Sequence, residues 1–191
     1  MIEPEILLQG YRLGVFPMAM TDGAIEWFSP DPRGILPLEE FHMPHALKRV
    51  QRKQLFEIRI NSRFDEVMRC CAERDDTWIN REIAESYIRL HALGYAHSVE
   101  AWSEGELAGG LYGVTIGGAF FGESMFHRVR DASKIALCAL VERLKTRRFV
   151  LLDTQWLTSH LKQFGGVEIP RAQYIYLLKG AVQLRRKFAD S

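Results

Sequence analysis

"AHSVEAWSEGELAGGLYGVTIGGAFFGESMF" (residues 96–126) decides the fold of this chain. It contains three strand-like runs, at 96–102, 107–116 and 118–126, separated by short glycine-containing turns. Strands joined by such short turns pair as antiparallel neighbours. The stretch therefore predicts an antiparallel sheet at the centre of the chain.

Helices and further strands are predicted on both sides of this stretch. The elements after it are a helix at 131–147 with Asp131 as N-cap, a strand at 149–153, a helix to about Gln163 and a last helix at 170–187. Before it come a helix at 4–13, an irregular proline-containing arm at 15–38, a basic helix at 44–53 and a strand at 55–60. Two more helices follow that strand: one capped by Asn61 or Ser62 that ends near Cys71, and one from Asn80 to Gly94. This order predicts an α+β, or mixed α/β, fold. We expect a small N-terminal subdomain (residues 1–60) and a sheet domain (residues 61–191).

Composition indicates an ordinary globular protein. Of 191 residues, 47% are hydrophobic and 26% are charged, with a net charge of +1, so nucleic-acid contacts would require a local basic patch. Three cysteines form neither a disulfide framework nor a metal-ligand pattern, which favours a reducing compartment. Glu3 and Glu5 are unlike a signal peptide, and no apolar run approaches the ~20 residues of a membrane span. We expect a cytoplasmic protein.

Common catalytic motifs do not appear in the chain: it has no G-x-S-x-G elbow, no P-loop and no dinucleotide-binding fingerprint. What stands out instead is a set of polar and aromatic residues at strand ends and in loops, namely Trp78, Glu100, Trp102, Glu123, Ser124, Asp153 and Gln155. In "FVLLDTQWL" (residues 149–157), Asp153 and Gln155 are two residues apart, and strand alternation predicts that they share a face. The alternative for Asp153 is a cap on the following helix.

Eight segments together resemble the leucyl/phenylalanyl-tRNA–protein transferases, over about Tyr11 to Arg171. They are "GYRLGVFPM", "WFSPDPRG", "TWI", "LHALGYAHSVEAW", "GGLYGV", "FFGESMF", "ASKIAL" and "LLDTQ". The resemblance implies a small N-terminal domain followed by a domain like that of the GCN5-related N-acetyltransferases. It also implies transfer of Leu, Phe or, less well, Met from aminoacyl-tRNA to the α-amine of proteins that begin with Arg or Lys, which directs them to N-degron degradation.

The partners implied are Leu-tRNA, Phe-tRNA and these acceptor proteins, with no membrane, no metal and no cofactor beyond the aminoacyl-tRNA. We expect a monomer. Longer members of the family carry a few dozen additional N-terminal residues, so we expect part of the N-terminal domain to be trimmed or rebuilt here.

The resemblance places catalysis on Asp153 and Gln155. An α-amine titrates near ~7.7–8.0 and a Lys side chain near ~10.4, so a weak acceptor can assist the α-amine at neutral pH. Gln155 would accept the amine proton through its side-chain carbonyl, while Asp153 would orient Gln155 and relay charge. Thr154 would point away and matter little.

Substrate-binding roles follow from the same motifs. Glu123 would bind the cationic acceptor or the terminal sugar of the tRNA; the alternative is a turn carboxylate satisfied by backbone N–H groups. The family's apolar pocket corresponds to Leu111, Phe121, Met125, Leu137, Leu140 and Leu152, all of which would equally suit a core. Trp78 would stack on the terminal adenine, with Met18 where some members have a second Trp.

The basic helix carries Lys48, Arg49, Arg52 and Lys53 without an intervening acid. We expect them to bind tRNA phosphates; a solvated face is the alternative. His91 and His97 are predicted to be structural.

Two rival functions remain open. One is a coenzyme-A-dependent N-acyltransferase, although "FHRVRDASK" stands where such enzymes carry a Q/R-x-x-G-x-G/A loop before their helix. The other is a non-catalytic RNA- or degron-binding module.

Overall fold

The computed structural model describes residues 1–73 and 77–190, and a seven-stranded sheet forms its centre. In spatial order the strands are β4 (Glu57–Ile60), β5 (Ala96–Ser103), β6 (Glu106–Ile116), β7 (Ala119–His127), β8 (Leu151–Gln155), β3 (Arg33–Ile35) and β9 (Val167–Ile169), numbered along the chain. Neighbours are antiparallel except β7 and β8, which are parallel. The three central strands and the α+β class are confirmed.

Helices cover both faces of this sheet. They are α1 (Pro4–Arg12), α2 (His45–Arg52), α3 (Phe64–Ala72), α4 (Arg81–Ala92), α5 (Ala132–Thr146), α6 (Ser159–Lys162) and α7 (Arg171–Val182). One apolar cluster joins the sheet to α1, α3, α4 and α7, and a second joins it to α2 and α5. Along residues 1–73 and 77–190, the helices fall short of the length and apolarity that crossing a bilayer requires.

The helix starts differ from two of the predicted caps. Asp131 has a φ of 68° and makes no side-chain cap; its carboxylate accepts a hydrogen bond from Lys134 at 2.8 Å instead. Asn61 does not cap α3 but accepts from the backbone N–H of Ser98, and Ser62 also lies outside the cap position, which Arg63 occupies. Both predicted caps fail because an ionic or cross-strand partner competes for the side chain. The Asn80 cap is confirmed, since its side chain accepts from Ile83 N at 2.9 Å.

The arm predicted as irregular contains three strands. Two form a hairpin, β1 (Phe16–Ala19) with β2 (Ile25–Phe28), and β3 enters the main sheet between β8 and β9. Gly34 permits this insertion because a Cβ there would lie 2.6 Å from the backbone carbon of Trp156. The division at residue 60 stays a prediction; β3 and β4, which both precede it, hydrogen-bond into the same sheet as the later strands.

Candidate active site

A cavity of about 330 Å³ lies at the end of β8, between β6, β7 and α5. Its walls include nine of the residues predicted as site residues: Met18, Trp78, Leu111, Glu123, Met125, Leu137, Leu140, Leu152 and Gln155. A volume of this order suits a small organic group, since ligand pockets measure ~300–1,000 Å³. The structure therefore brings most of the predicted substrate and catalytic residues to one place.

The apolar wall of this cavity belongs to the cluster under α5. Leu111, Leu137, Leu140 and Leu152 are buried in that cluster, and Met125 packs against it. Phe121 does not line the cavity: it lies in the opposite cluster, with its ring centroid 4.9 Å from that of Tyr11. Its neighbour Phe120 belongs to the cluster under α5, as strand alternation requires of adjacent residues.

Gln155 and Glu123 form the polar end of the cavity. The Gln155 amide nitrogen donates to Glu123 Oε1 at 3.0 Å. Because the nitrogen of the amide is committed to Glu123, its oxygen is the group left to accept a hydrogen bond from a substrate. The arrangement presents an amide oxygen that can accept a hydrogen bond directly beside a carboxylate.

Glu123 is held by side chains and not by a turn backbone. The Tyr11 hydroxyl donates to Oε1 at 2.7 Å, the Tyr87 hydroxyl donates to Oε2 at 3.3 Å, and the two hydroxyls contact each other. Burial raises the pKa of Glu123 to about 7, although the hydrogen bonds from Tyr11 and Gln155 oppose that shift. A carboxyl group with that pKa changes charge near neutral pH, close to the range where an α-amine titrates.

Asp153 does not face the cavity. It is fully buried and forms a two-pronged ion pair with Arg33, Nε to Oδ1 at 2.9 Å and Nη2 to Oδ2 at 2.6 Å. The Tyr174 hydroxyl donates to Oδ2 at 2.7 Å, and the backbone N–H of Gln155 donates to Oδ1 at 2.8 Å. Asp153 is thus linked to the backbone of Gln155, and not to its side-chain amide. It is not a helix cap either, because Thr158 caps α6.

The prediction that Asp153 and Gln155 share a face, with Thr154 pointing away, is wrong. Gln155 has a φ of 63°, so the alternation of β8 ends there and its side chain turns toward the cavity. Thr154 lines the cavity, and its buried hydroxyl has no hydrogen-bond partner within residues 1–73 and 77–190. The backbone bond to Asp153 holds this left-handed conformation, which is uncommon for residues other than glycine.

Trp78 and Met18 lie together on the cavity wall. The backbone N–H of Ala19, beside Met18, donates to the carbonyl of Trp78 at 3.1 Å. Trp156, which sequence reasoning missed, lines the same cavity with 43% of its surface exposed and packs edge-on against Phe16 at 5.2 Å. The sequence signal that could have indicated it is a Trp directly after "LLDTQ".

Arg33 and Tyr174 were also missed. Arg33 is 1% exposed, and its guanidinium lies over the rings of Phe16 at 4.9 Å and Tyr174 at 4.3 Å. A buried arginine requires a buried carboxylate, and this one lies 120 positions away in the chain. The sequence signal for Arg33 was the segment "PDPRG" within the family motifs, where an arginine stands among residues typical of turns.

The basic residues of α2, together with Lys53 directly after it, lie outside the cavity. Lys48, Arg49, Arg52 and Lys53 are exposed at the helix surface, and none forms an ion pair with a carboxylate of the described residues. Unpaired cations on a solvated helix remain free to contact phosphates. The helix is held by Leu47, which is buried in the cluster under α5.

Other polar residues singled out in the sequence have structural partners. The imidazole of His97 is buried beside the Asn61 amide at 3.0 Å, and that of His91 stacks on Phe64 at 4.2 Å. Glu100 accepts hydrogen bonds from Ser98 and from the Trp102 indole on its own strand. Among the residues that the structure describes, no cluster of three or more His, Cys, Asp and Glu side chains could hold a metal ion.

Comparisons with known proteins agree across the chain. A family model described as leucyl/phenylalanyl-tRNA protein transferase matches residues 35–179, and one for the N-terminal domain of that transferase matches residues 1–31. Proteins named leucyl/phenylalanyl-tRNA–protein transferase are 55% identical in Herpetosiphon aurantiacus, covering 98% of both chains, and 55% identical in Gloeobacter violaceus, covering 98% of this chain and 97% of that one. The one from Akkermansia muciniphila is 52% identical, over 95% and 97%.

A solved structure, L-PGS from Bacillus licheniformis, gives a TM-score of 0.45 at 14% identity, covering 85% of this chain and 56% of that one. A likeness of that strength carries no further conclusion.

Proposed function

This chain belongs to the leucyl/phenylalanyl-tRNA–protein transferase family, and on that premise we propose that it transfers Leu, Phe and, less well, Met to proteins that begin with Arg or Lys. The donor is aminoacyl-tRNA and the acceptor is the protein's α-amine. The observation that best supports the proposal is one cavity that joins an apolar wall to the Gln155–Glu123 pair.

The apolar wall receives the side chain of the donor amino acid. Burying a Leu or Phe side chain contributes ~1.5–3 kcal/mol, and the flexible Met125 adapts to either shape. The terminal adenine stacks on Trp78, which contributes ~1–3 kcal/mol, with Met18 beside it. These contacts leave the ester carbonyl at the polar end of the cavity.

Peptide-bond formation then requires one proton to leave the attacking amine. The amine nitrogen bonds to the ester carbonyl carbon, the bond from that carbon to the ribose oxygen breaks, and the ribose oxygen takes up a proton. The Gln155 amide oxygen accepts a hydrogen bond from the amine, which directs the lone pair of the amine nitrogen at the ester carbonyl carbon. An amide oxygen is too weak a base to keep the proton, so the neighbouring Glu123 receives it before the ribose does. A pKa of about 7 suits that exchange with an α-amine.

Asp153 acts as a positioning residue in this proposal. Its carboxylate holds the backbone of Gln155 in the left-handed conformation while Arg33 and Tyr174 hold the carboxylate. The charge-relay role that the resemblance implies for Asp153 is therefore replaced by one of geometry, because the side-chain amide of Gln155 contacts Glu123 instead.

The tRNA body contacts the exposed cations of α2 through its phosphates, independently of sequence. The enzyme acts as a monomer in the cytoplasm, where it marks acceptor proteins for N-degron degradation and uses no metal or further cofactor. These assignments rest on the family premise, and the tRNA contact also rests on the exposure of the cations of α2.

The test is transfer of labelled Phe or Leu from charged tRNA to peptides that differ only in a first residue of Arg, Lys, acetyl-Arg or Gly. We expect labelling of the Arg and Lys peptides, loss of labelling after RNase treatment, and none with the acetylated peptide. Gln155→Ala should slow transfer far more than it weakens tRNA binding. No labelling from intact charged tRNA would overturn the proposal, and equal losses in transfer and binding would remove Gln155 from the chemistry.

A further inference from the structure

A second recess, of about 470 Å³, adjoins the first cavity, and Met125 and His160 line both. Its remaining walls come from the end of α3, the end of β7, the turn that follows and the first turn of α5. Most of them belong to the segment "FHRVRDASK", to which the proposed transfer chemistry assigns no role. A ligand in the first cavity can therefore extend into the recess along their shared wall.

Cations outnumber carboxylates in the lining of the recess. Arg128, Arg130 and Lys134 line it, against the carboxylates of Glu73 and Asp131. Asp131 pairs with Lys134 at 2.8 Å and with Arg130 at 3.7 Å, so one carboxylate serves two of the cations. Arg128 pairs with Glu66 at 3.5 Å. Because arginine carries five N–H donors and lysine three, Arg130 and Lys134 keep donors that their shared carboxylate does not use.

The start of α5 adds to this preference for an anion. The cap residue Asp131 is in the left-handed conformation and offers no side-chain acceptor to the first amides of this 15-residue helix. The Ala132 N–H donates to the carbonyl of Val129 at 3.1 Å, and the dipole of the helix attracts negative charge to its start. The helix start and the cations thus point to the same class of ligand.

His160 supplies an independent indication at the shared wall. Its Nε2 is buried without a hydrogen-bond partner in residues 1–73 and 77–190, while its ring packs edge-on against Phe164 at 5.3 Å. Burial, together with Lys134 and His127, lowers the pKa of His160, so the ring is neutral at pH 7. A buried polar atom without a partner calls for one, and an oxygen of a bound ligand would provide it.

We propose that this recess binds the phosphodiester that joins the last two nucleotides of aminoacyl-tRNA. The inference rests on the proposed function, which places the terminal adenosine in the first cavity. The next group along the tRNA strand is an anionic phosphate, and the space beside the cavity carries more cations than carboxylates and lies against the start of α5.

The experiment compares three Phe donors: charged tRNA, a CCA trinucleotide that carries Phe, and phenylalanyl-adenosine, which has no phosphodiester. We expect Lys134→Gln and Arg128→Gln each to raise the KM for charged tRNA and for CCA-Phe about tenfold, as loss of a hydrogen bond to a charged group does. The KM for phenylalanyl-adenosine should stay unchanged, as should kcat. The salt dependence of tRNA binding should become shallower by about 0.7 in the log–log slope for each phosphate that the protein no longer neutralises.

Lys145→Gln is the matched control, since it removes an exposed cation from the other end of the same helix. It should leave all three KM values unchanged, and Lys134→Arg should restore the affinity that Lys134→Gln removes. An equal rise in KM for phenylalanyl-adenosine, or no rise for any donor, would overturn the phosphodiester site. If the wild-type protein uses none of the three donors, the proposed function itself fails, which is a different outcome.

Discussion

Replacing Asp153 by Asn would remove one charge from the buried pair beneath the cavity while keeping the size of the side chain. The Asp153 carboxylate accepts four hydrogen bonds: two from Arg33, one from Tyr174 and one from the backbone of Gln155. Asparagine has one oxygen, and its NH₂ group would face donors. Arg33 would remain buried under Phe16 and Tyr174 with no counter-ion.

The expected cost follows from that burial. Removing one partner of a buried ion pair costs ~3–5 kcal/mol because the other charge is left uncompensated. At ~2–4 °C per kcal/mol for a chain of this size, Tm should fall by roughly 6–20 °C. Glu85→Gln, which breaks an exposed pair with Arg81 at 2.7 Å, should change stability by less than about 0.5 kcal/mol.

Thermal and urea unfolding of both variants would measure these costs, and transfer assays at a temperature where both are folded would measure kcat. We expect Asp153→Asn to lose much of its stability but less of its kcat than Gln155→Ala. Unchanged unfolding together with a hundredfold or greater loss of kcat would refute this reasoning, because Asp153 would then act in the chemistry and not as an anchor.

Three further substitutions, with a fourth as a control, test other parts of the molecule. In the wild-type protein the pKa of Glu123 is raised from 4.5 to about 7, so the stability that its protonated form contributes is complete below pH 4.5 and is lost as pH rises through 7. Glu123→Gln should remove this loss of about 2–3 kcal/mol, measured by urea unfolding from pH 5 to 8. If the stabilities of wild type and variant depended on pH in the same way, the prediction would be contradicted. Gly34→Ala would place a Cβ 2.6 Å from the Trp156 backbone and should cost about 1–3 kcal/mol, whereas Gly180→Ala, which meets no atom of the described residues within 4 Å, should stabilise by up to about 1 kcal/mol. Thr154→Val removes a buried hydroxyl that has no partner among the described residues, so stability should stay the same or rise by about 1 kcal/mol. Because Thr154 lines the cavity, the KM for aminoacyl-tRNA should change. An unchanged KM would show that Thr154 does not touch the donor.

The central strands could be predicted because their pairing is local. Short turns join β5, β6 and β7, so each strand pairs with the next one in the chain. The location of β3 could not be predicted in the same way, since its partners β8 and β9 lie far along the chain and the three residues of β3 carry no strand pattern. The sequence of the arm shows turns, and the third strand becomes visible only through its partners.

Most of the cavity wall could be predicted by motif, but side-chain direction could not. Phe120 and Phe121 are equally apolar, and an irregularity in the pairing of β6 with β7 at Tyr112 and Gly113 obscures which of them faces α5. Gln155 adopts a positive φ. Glycine is the residue whose presence in a sequence suggests a positive φ, and a glutamine gives no such indication. The Asp153–Arg33 pair is a contact between residues 120 positions apart. Local residue spacing carries no information about contacts at that separation.

The place of β3 between β8 and β9 has a consequence for the order of folding. A ribosome makes the chain from the N-terminus at ~5–20 residues per second, so Arg33 emerges well before the strands that flank it. Until Ile169 has been made, β3 lacks one neighbour and Arg33 lacks a settled environment. Closing so long a loop is slow. The cavity is therefore among the last parts of the molecule to form, and an incomplete chain has no site with which to act on the aminoacyl-tRNA that surrounds it during synthesis.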